Sequence, residues 1–262
     1  MTATSHLDPT VRQIRLWLLV CAGMVFLMVV LGGATRLTDS GLSMVEWQPL
    51  NLLPPLTDAE WQAEFENYQK FPEFQKVNSW MTVADFKGIY WLEYLHRLWG
   101  RIIGAMFAIP FFWFLLSGRV NGRFAWILTG LLLLGGLQGF LGWFMVVSGL
   151  VDQPDVSQYR LAAHLVLAFV VYGLLIWFGL GVKPPDEKKE MRISSPLTSC
   201  LSLLTTLAVV LVVVSGAFVA GLKAGMIYNT FPLMAGQIVP EGMYDITPWH
   251  LNWFENVMTV QF

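Results

Sequence analysis

The run Leu16-Trp17-Leu18-Leu19-Val20-Cys21-Ala22-Gly23-Met24-Val25-Phe26-Leu27-Met28-Val29-Val30-Leu31-Gly32-Gly33 carries no charged side chain. At about 1.5 Å of rise per residue, a helix of this length approaches the ~30 Å of a bilayer's hydrocarbon core. Four more apolar runs follow: Ile102 to Leu116, Phe124 to Val147, Leu161 to Val182, and Leu197 to Ala220. The second is short by itself, but the segment from Gly88 to Arg101 before it has no proline and extends the helix outward toward Ile89. Arg12 and Arg15 ahead of the first run, with Gly32-Gly33-Ala34 behind it, would also suit a signal peptide. Four later spans favour a retained helix, so the expected class is an all-α integral membrane protein.

Composition agrees. Of 262 residues, 55% are hydrophobic and only 13% charged, against roughly 25% charged in soluble domains. A cytosolic globular enzyme is excluded, and a mean hydropathy of +0.56 excludes a disordered chain. A net charge of −2 gives no electrostatic reason to expect nucleic acid. Cys21 and Cys200 each lie inside an apolar run and read as small buried residues rather than a disulfide or metal pair.

Orientation follows from the basic residues, which concentrate in short cytoplasmic segments. Arg12 and Arg15 precede the first span, Arg119 and Arg123 follow the second, and Lys183, Lys188, Lys189 and Arg192 follow the fourth. These place the N-terminus in the cytoplasm. The long segment 34–87, the stretch around Asp152 and everything after Gly221 then face outward.

Spans one and five resemble each other. Val29-Val30-Leu31-Gly32, then Gly41, Trp47 and Pro49, echoes Val213-Val214-Ser215-Gly216, then Gly225, Phe231 and Pro232. The expected organisation is a tandem of helix bundles. It comprises a cytoplasmic tail 1–15, a four-helix transmembrane bundle 16–182 with the large outer loop 34–87, a cytoplasmic linker 183–196, and the incomplete start of a second, pseudo-repeated bundle over 197–262.

Of four histidines, His6 lies in a polar tail and His250 follows Pro248-Trp249 in an outer loop, where a surface role is expected. His96 and His164 differ, because each lies one to two turns inside the outer end of its span. Both spans enter from outside, so the imidazoles reach similar depth and could hold a flat cofactor between facing helices. The plainer alternative is two interfacial histidines bonded to loops. Ionisable groups within spans are costly enough to make function the default for a matched pair.

Helical spacing puts Glu93, His96, Gly100 and Gly104 on one stripe, the glycines leaving room for a macrocycle or, alternatively, for helix dimerisation. Arg160, His164 and Ala168 repeat the pattern on span four. A cation one turn outside a ligand, as at Arg160 and with Arg97 beside it, suits a carboxylate such as a haem propionate, or else snorkels to the interface. Iron in porphyrin is favoured over zinc, because two histidines with no thiolate and few nearby acids leave a zinc shell incomplete. Glu93 could pair with Arg97 at i+4 or act as a proton donor beside the ring. Gln138, within the glycine-rich third span, is expected to make an interhelical hydrogen bond rather than react.

Longer strings then carry a resemblance. Gly32-Gly33-Ala34-Thr35-Arg36-Leu37-Thr38 with Ser40-Gly41-Leu42-Ser43-Met44, and Glu93-Tyr94-Leu95-His96-Arg97-Leu98-Trp99-Gly100-Arg101, closely resemble the haem A synthase family. So do Gly135-Gly136-Leu137-Gln138-Gly139 with Gly142-Trp143-Phe144-Met145-Val146, Tyr159-Arg160-Leu161-Ala162-Ala163-His164, and Gly221-Leu222-Lys223-Ala224-Gly225 running into Tyr228-Asn229-Thr230-Phe231-Pro232-Leu233-Met234. The resemblance implies two pseudo-equivalent four-helix bundles, each with haem between two histidines. It also implies an oxidoreductase that converts a methyl group of haem O to the formyl group of haem A for terminal oxidases. His96 and His164 would be the first bundle's iron ligands at the substrate haem site, and Glu93 the acidic residue implicated in catalysis.

No cysteine occurs between Ala34 and Lys87, which is similar to the proteobacterial or mitochondrial branch. In the family, a His-Arg pair follows a string like Val260-Gln261-Phe262, so the second bundle's ligands and its haem b are expected beyond this sequence. The chain alone is then expected to bind at most one haem and to make no haem A. The resemblance further implies the cell inner membrane as location, and haem O, lipid, an electron donor of unspecified identity, haem O synthase and a second copy of the chain as partners. A non-catalytic haem-binding scaffold and a bis-histidine b-type electron-transfer protein are the alternatives.

Overall fold

A computed structural model describes residues 9–47, 53–150, 156–182 and 195–262. His6, Pro49, the stretch around Asp152, and Lys183, Lys188, Lys189 and Arg192 lie outside the described residues. Helices dominate the rest: α1 (Pro9–Leu37), α2 (Asp58–Tyr68), α3 (Val83–Leu116), α4 (Gly122–Gly149), α5 (Gln158–Gly181), α6 (Pro196–Gly221), and the short α7 (Asn252–Glu255) and α8 (Val257–Gln261). Among the described residues there is no strand, and five helices, α1 and α3 to α6, are long and apolar enough to cross a membrane. Each expected span is thus a helix, and the second extends past Ile89 to Val83.

Local sequence fixes the helix starts on the segment between α1 and α3. Thr57 accepts from the Glu60 amide while Glu60 accepts from the Thr57 amide, and Thr82 and Asp85 do the same at the head of α3. These reciprocal caps satisfy amides that the first turn leaves without partners. α2 then lies against the first turns of α3, burying Trp61, Phe65, Tyr68, Phe86, Tyr90 and Tyr94 together. We call this the capped end of the bundle.

Helices α1, α3, α4 and α5 form a ring in which each packs on the next, and α6 packs on α5 from outside. The half of the ring away from the cap is filled by Trp17, Leu18, Cys21, Phe107, Phe111, Phe114, Leu128 and Leu175. Pro110 sits inside α3 and has no N–H, so the Met106 carbonyl loses its helical donor. The Trp17 indole replaces it at 2.8 Å, pinning α1 to α3, and Trp99 donates to the Met24 carbonyl at 3.0 Å nearer the cap.

The echo between spans one and five extends to geometry. α1 ends at Leu37, five residues past Gly32, and α6 ends at Gly221, five past Gly216. Two residues beyond each end, Asp39 (φ 50°) and Lys223 (φ 52°) adopt the left-handed conformation that non-glycine residues rarely take. These two positions meet: Lys223 Nζ lies 2.9 Å from Asp39 Oδ1. Arg36 donates to the Ala220 and Gly221 carbonyls, closing the end of α6 against α1.

One expectation needs correcting. Cys21 is buried, but Cys200 is exposed, because the first turns of α6 run along the outside of the ring, and α6 buries only Ala217, Phe218 and Gly221 near its other end.

Candidate haem site

One turn of α3 at the capped end carries Glu93, His96 and Arg97. Glu93 is 2% exposed, and every donor within reach is aimed at its carboxylate. Ser43 Oγ and the Met44 amide donate to Oε2 at 2.7 and 2.8 Å, and Arg97 donates to Oε1 from Nε at 3.0 Å and from Nη2. The i, i+4 pairing with Arg97 is therefore present, and it is part of a larger knot. Arg97 also donates to the Met44 and Glu46 carbonyls and lies over the Trp47 ring at 5.3 Å. Four of its five N–H donors are thus directed to Glu93 and to the segment leaving α1.

His96 faces across the ring to α1. A Cβ on Gly32 would come within 3.2 Å of its Nε2, so only a residue without a side chain leaves that imidazole unobstructed. On α5, His164 meets α4 in the same manner: a Cβ on Gly142 would lie 3.3 Å from its Cε1. The two sequence-expected histidines thus share one setting, each imidazole lying against a glycine of a neighbouring helix. Gln138 on α4 donates to the His164 carbonyl at 3.0 Å, the expected interhelical bond, and its Nε2 lies 3.4 Å from His164 Nε2. His164 Nδ1 and Gln138 Oε1 are buried without partners.

Arg160, one turn toward the cap from His164, is half-buried, with its guanidinium 4.6 Å over the Phe144 ring. Among the described residues it has no carboxylate partner, so it remains available to an acid. His250 is exposed in a turn, as expected for a surface residue.

Glu73, on the segment between α2 and α3, is 4% exposed, with Oε2 buried and unpartnered. Tyr68, which accepts from Asn78 Nδ2 at 2.8 Å, bonds the carboxyl group. Burial, reinforced by the charge of Glu93, pushes Glu73 up to about 8. No periodic signal marks it, because it lies in a short turn before a π-helical stretch, Phe74–Asn78.

A macrocyclic iron complex fits this layer. Among the described residues no group of three or more His, Cys, Asp or Glu could hold a bare metal ion. Two imidazoles from facing helices, each beside a glycine, suit iron whose remaining four ligands come from a porphyrin.

Comparison with known proteins decides the family. Residues 15–262 match the family described as cytochrome oxidase assembly protein, COX15-CtaA. The chain belongs to that family. Proteins called heme A synthase from Nitrosospira multiformis and Paramagnetospirillum magneticum are each 50% identical to it over 254 residues, covering 96% of this chain and 71% of theirs. One of the same name from Parvibaculum lavamentivorans is 47% identical over 264 residues, 100% of this chain and 75% of its own. No solved structure matches. Five spanning helices in a COX15-CtaA member make this a multi-pass membrane protein.

Proposed function

We propose that this chain binds haem O and acts as a haem A synthase, an oxidoreductase that converts a methyl group of haem O to the formyl group of haem A. The observation that carries the reading is the pair His96 and His164, each set against a glycine of a neighbouring helix in the four-helix ring. The relatives named heme A synthase supply the reaction. In this reading His96 and His164 ligate the haem O iron through Nε2, and Arg160 pairs with a propionate. The cap end faces outward and the N-terminus lies in the cytoplasm of a cell with its inner membrane as host. Haem b, an electron donor, haem O synthase and a second copy of the chain belong to the same reading through the family resemblance.

The chain's own residues explain how the substrate would be held. Iron bound to haem O supplies the oxidising chemistry; the protein supplies position and exclusion of water. The aromatic half of the ring below the histidines limits how deep the ring can sink. The Glu93–Arg97 knot fixes residues 43–46 over the histidine layer and keeps a carboxylate one turn from His96. Moving a proton at Glu93 Oε2 would require Ser43 and Met44 to let go first, so Glu93 serves as a proton-transfer group only when that segment shifts. Glu93 is the catalytic residue of the proposal and Arg97 its counter-charge.

Expression from the complete gene in a host that makes haem O but lacks its own synthase tests this. Extracted pigment should contain the mass of haem A, and His96→Ala or His164→Ala should abolish it. Haem O bound at full occupancy and recovered unchanged would favour a scaffold. Bound haem b with reversible redox cycling and no conversion would favour electron transfer.

A further inference from the structure

The contact between Gln138 and His164 determines more than a helix crossing. Neutral imidazole carries its proton on one nitrogen and a lone pair on the other, and which is which depends on the partners of each. Nδ1 of His164 has no partner, so it favours neither form. Nε2 is therefore decided by Gln138. The orientation of that amide is fixed independently: its nitrogen lies 3.0 Å from the His164 carbonyl, an acceptor, and turning the amide over would set oxygen against oxygen. The NH2 group facing the ring at 3.4 Å can donate its second hydrogen and cannot accept one. A proton on Nε2 would point at that donor, whereas a lone pair there would receive it. Free histidine prefers the opposite form, with the proton on Nε2.

We propose that Gln138 is a positioning residue that holds His164 as the Nδ1–H tautomer in the ligand-free protein, its NH2 group covering the Nε2 lone pair that iron would take. The proposal rests on the haem-ligand reading of His164. It gives the unpartnered Gln138 Oε1 a place as well: when iron takes the lone pair, the amide loses one bond and keeps its anchor on the His164 carbonyl. Its position beside the ring lets it turn without any backbone change. No titration is involved, since the ring is neutral in each tautomer.

Two measurements on the full-length protein test this. In the ligand-free protein, labelled with ¹⁵N-histidine and assigned by comparison with His164→Ala, two-bond ¹H–¹⁵N correlations should show His164 as Nδ1–H. Observing Nε2–H or an even mixture in the wild type would overturn the proposal, with no variant needed. Gln138→Met keeps length and removes the donor, so the tautomer should shift toward Nε2–H, and haem affinity should rise, because the bond deleted exists only in the ligand-free protein. Gln138→Glu presents an acceptor to Nε2, favours a proton there and should bind haem more weakly than Gln138→Met. Unchanged haem affinity in Gln138→Met and Gln138→Glu would overturn the positioning role even if the tautomer is as expected. His164→Ala with an unaltered haem spectrum would instead overturn the underlying ligand reading, and this inference with it.

Discussion

Glu93 and His96 lie three residues apart on α3 and differ in every other respect. Around Glu93 each acceptor site is filled, from the segment leaving α1 and from its own helix. Around His96 the neighbouring helix offers the bare backbone of Gly32. Buried polar groups in folded proteins are nearly always partnered, so the filled group reads as an anchor of the cap and the open one as a group whose partner arrives from outside. His164 and Gln138 repeat the open pattern on the opposite side of the ring, with two buried atoms unpartnered. The contrast is therefore between a knot that builds the lid and a layer left open beneath it.

The largest effect should come from closing the question at the open layer. His96→Ala and His164→Ala should each abolish the low-spin spectrum of haem added to the protein, because loss of an axial ligand leaves iron five-coordinate or the site empty. If both variants retained the wild-type spectrum at full occupancy, the distinction between open and filled groups would have no functional content.

The filled group should respond differently. Glu93→Ala leaves Arg97 buried with no counter-charge, which typically costs about 3–5 kcal/mol. It should lower the melting temperature and expose residues 40–47 to protease while haem-ligating residues remain in place. Glu93→Gln keeps two acceptor-to-donor contacts and should be milder in stability, with haem bound and conversion reduced. A variant that melts normally yet fails to bind haem would place Glu93 in the open layer rather than the cap.

Glu73 sharpens the same contrast within the cap, as its one unsatisfied acid. Its ordinary value is 4.5 and burial raises it to about 8, with Glu93 and Asp39 adding to the rise and Tyr68 and Lys223 opposing it. Between those values the folded cap holds a proton that the unfolded chain has released, so stability falls as pH rises from about 4.5 to about 8 and levels off above. The change should be on the order of a few kcal/mol. Hydrogen exchange across α2 and the head of α3 should show it, and Glu73→Gln should flatten the profile. A wild-type profile that is flat over this range would mean that Glu73 finds a partner in solution.

Much of this was legible in the sequence because membrane spans are written in long apolar runs and ligands at helical spacing need only one helix each. All five spanning helices and the Gln138 bond between helices follow from that. What escaped was long-range in sequence. Ser43 and Met44 reach Glu93 across some fifty positions, and Trp17 serves Met106 because of a proline four residues further on. The burial of Glu73 depends on α2 folding back onto α3, which no local periodicity announces. Spacing offered Arg97 both to a ligand acid and to Glu93, and could not show that the Met44 and Glu46 carbonyls also accept from it.

The smallest expected effect belongs to Arg160, a cation without a carboxylate partner among the described residues. Stacking of its guanidinium on Phe144 contributes about 0.5–1 kcal/mol at a half-exposed position, so Arg160→Gln should hardly change the melting temperature of ligand-free protein. Its role, if it meets a propionate, appears only with ligand present. Wild-type protein should then bind haem more tightly than haem dimethyl ester, in which the propionate charges are removed, because a charge-assisted hydrogen bond is lost. Arg160→Gln should bind the two alike. Titration of each pigment into each protein reads the difference directly, and it separates charge from packing because the ring and its iron are unchanged. If the variant discriminates as well as the wild type, Arg160 only extends toward the membrane surface, and the acid of the ligand is met by a group elsewhere in the cap.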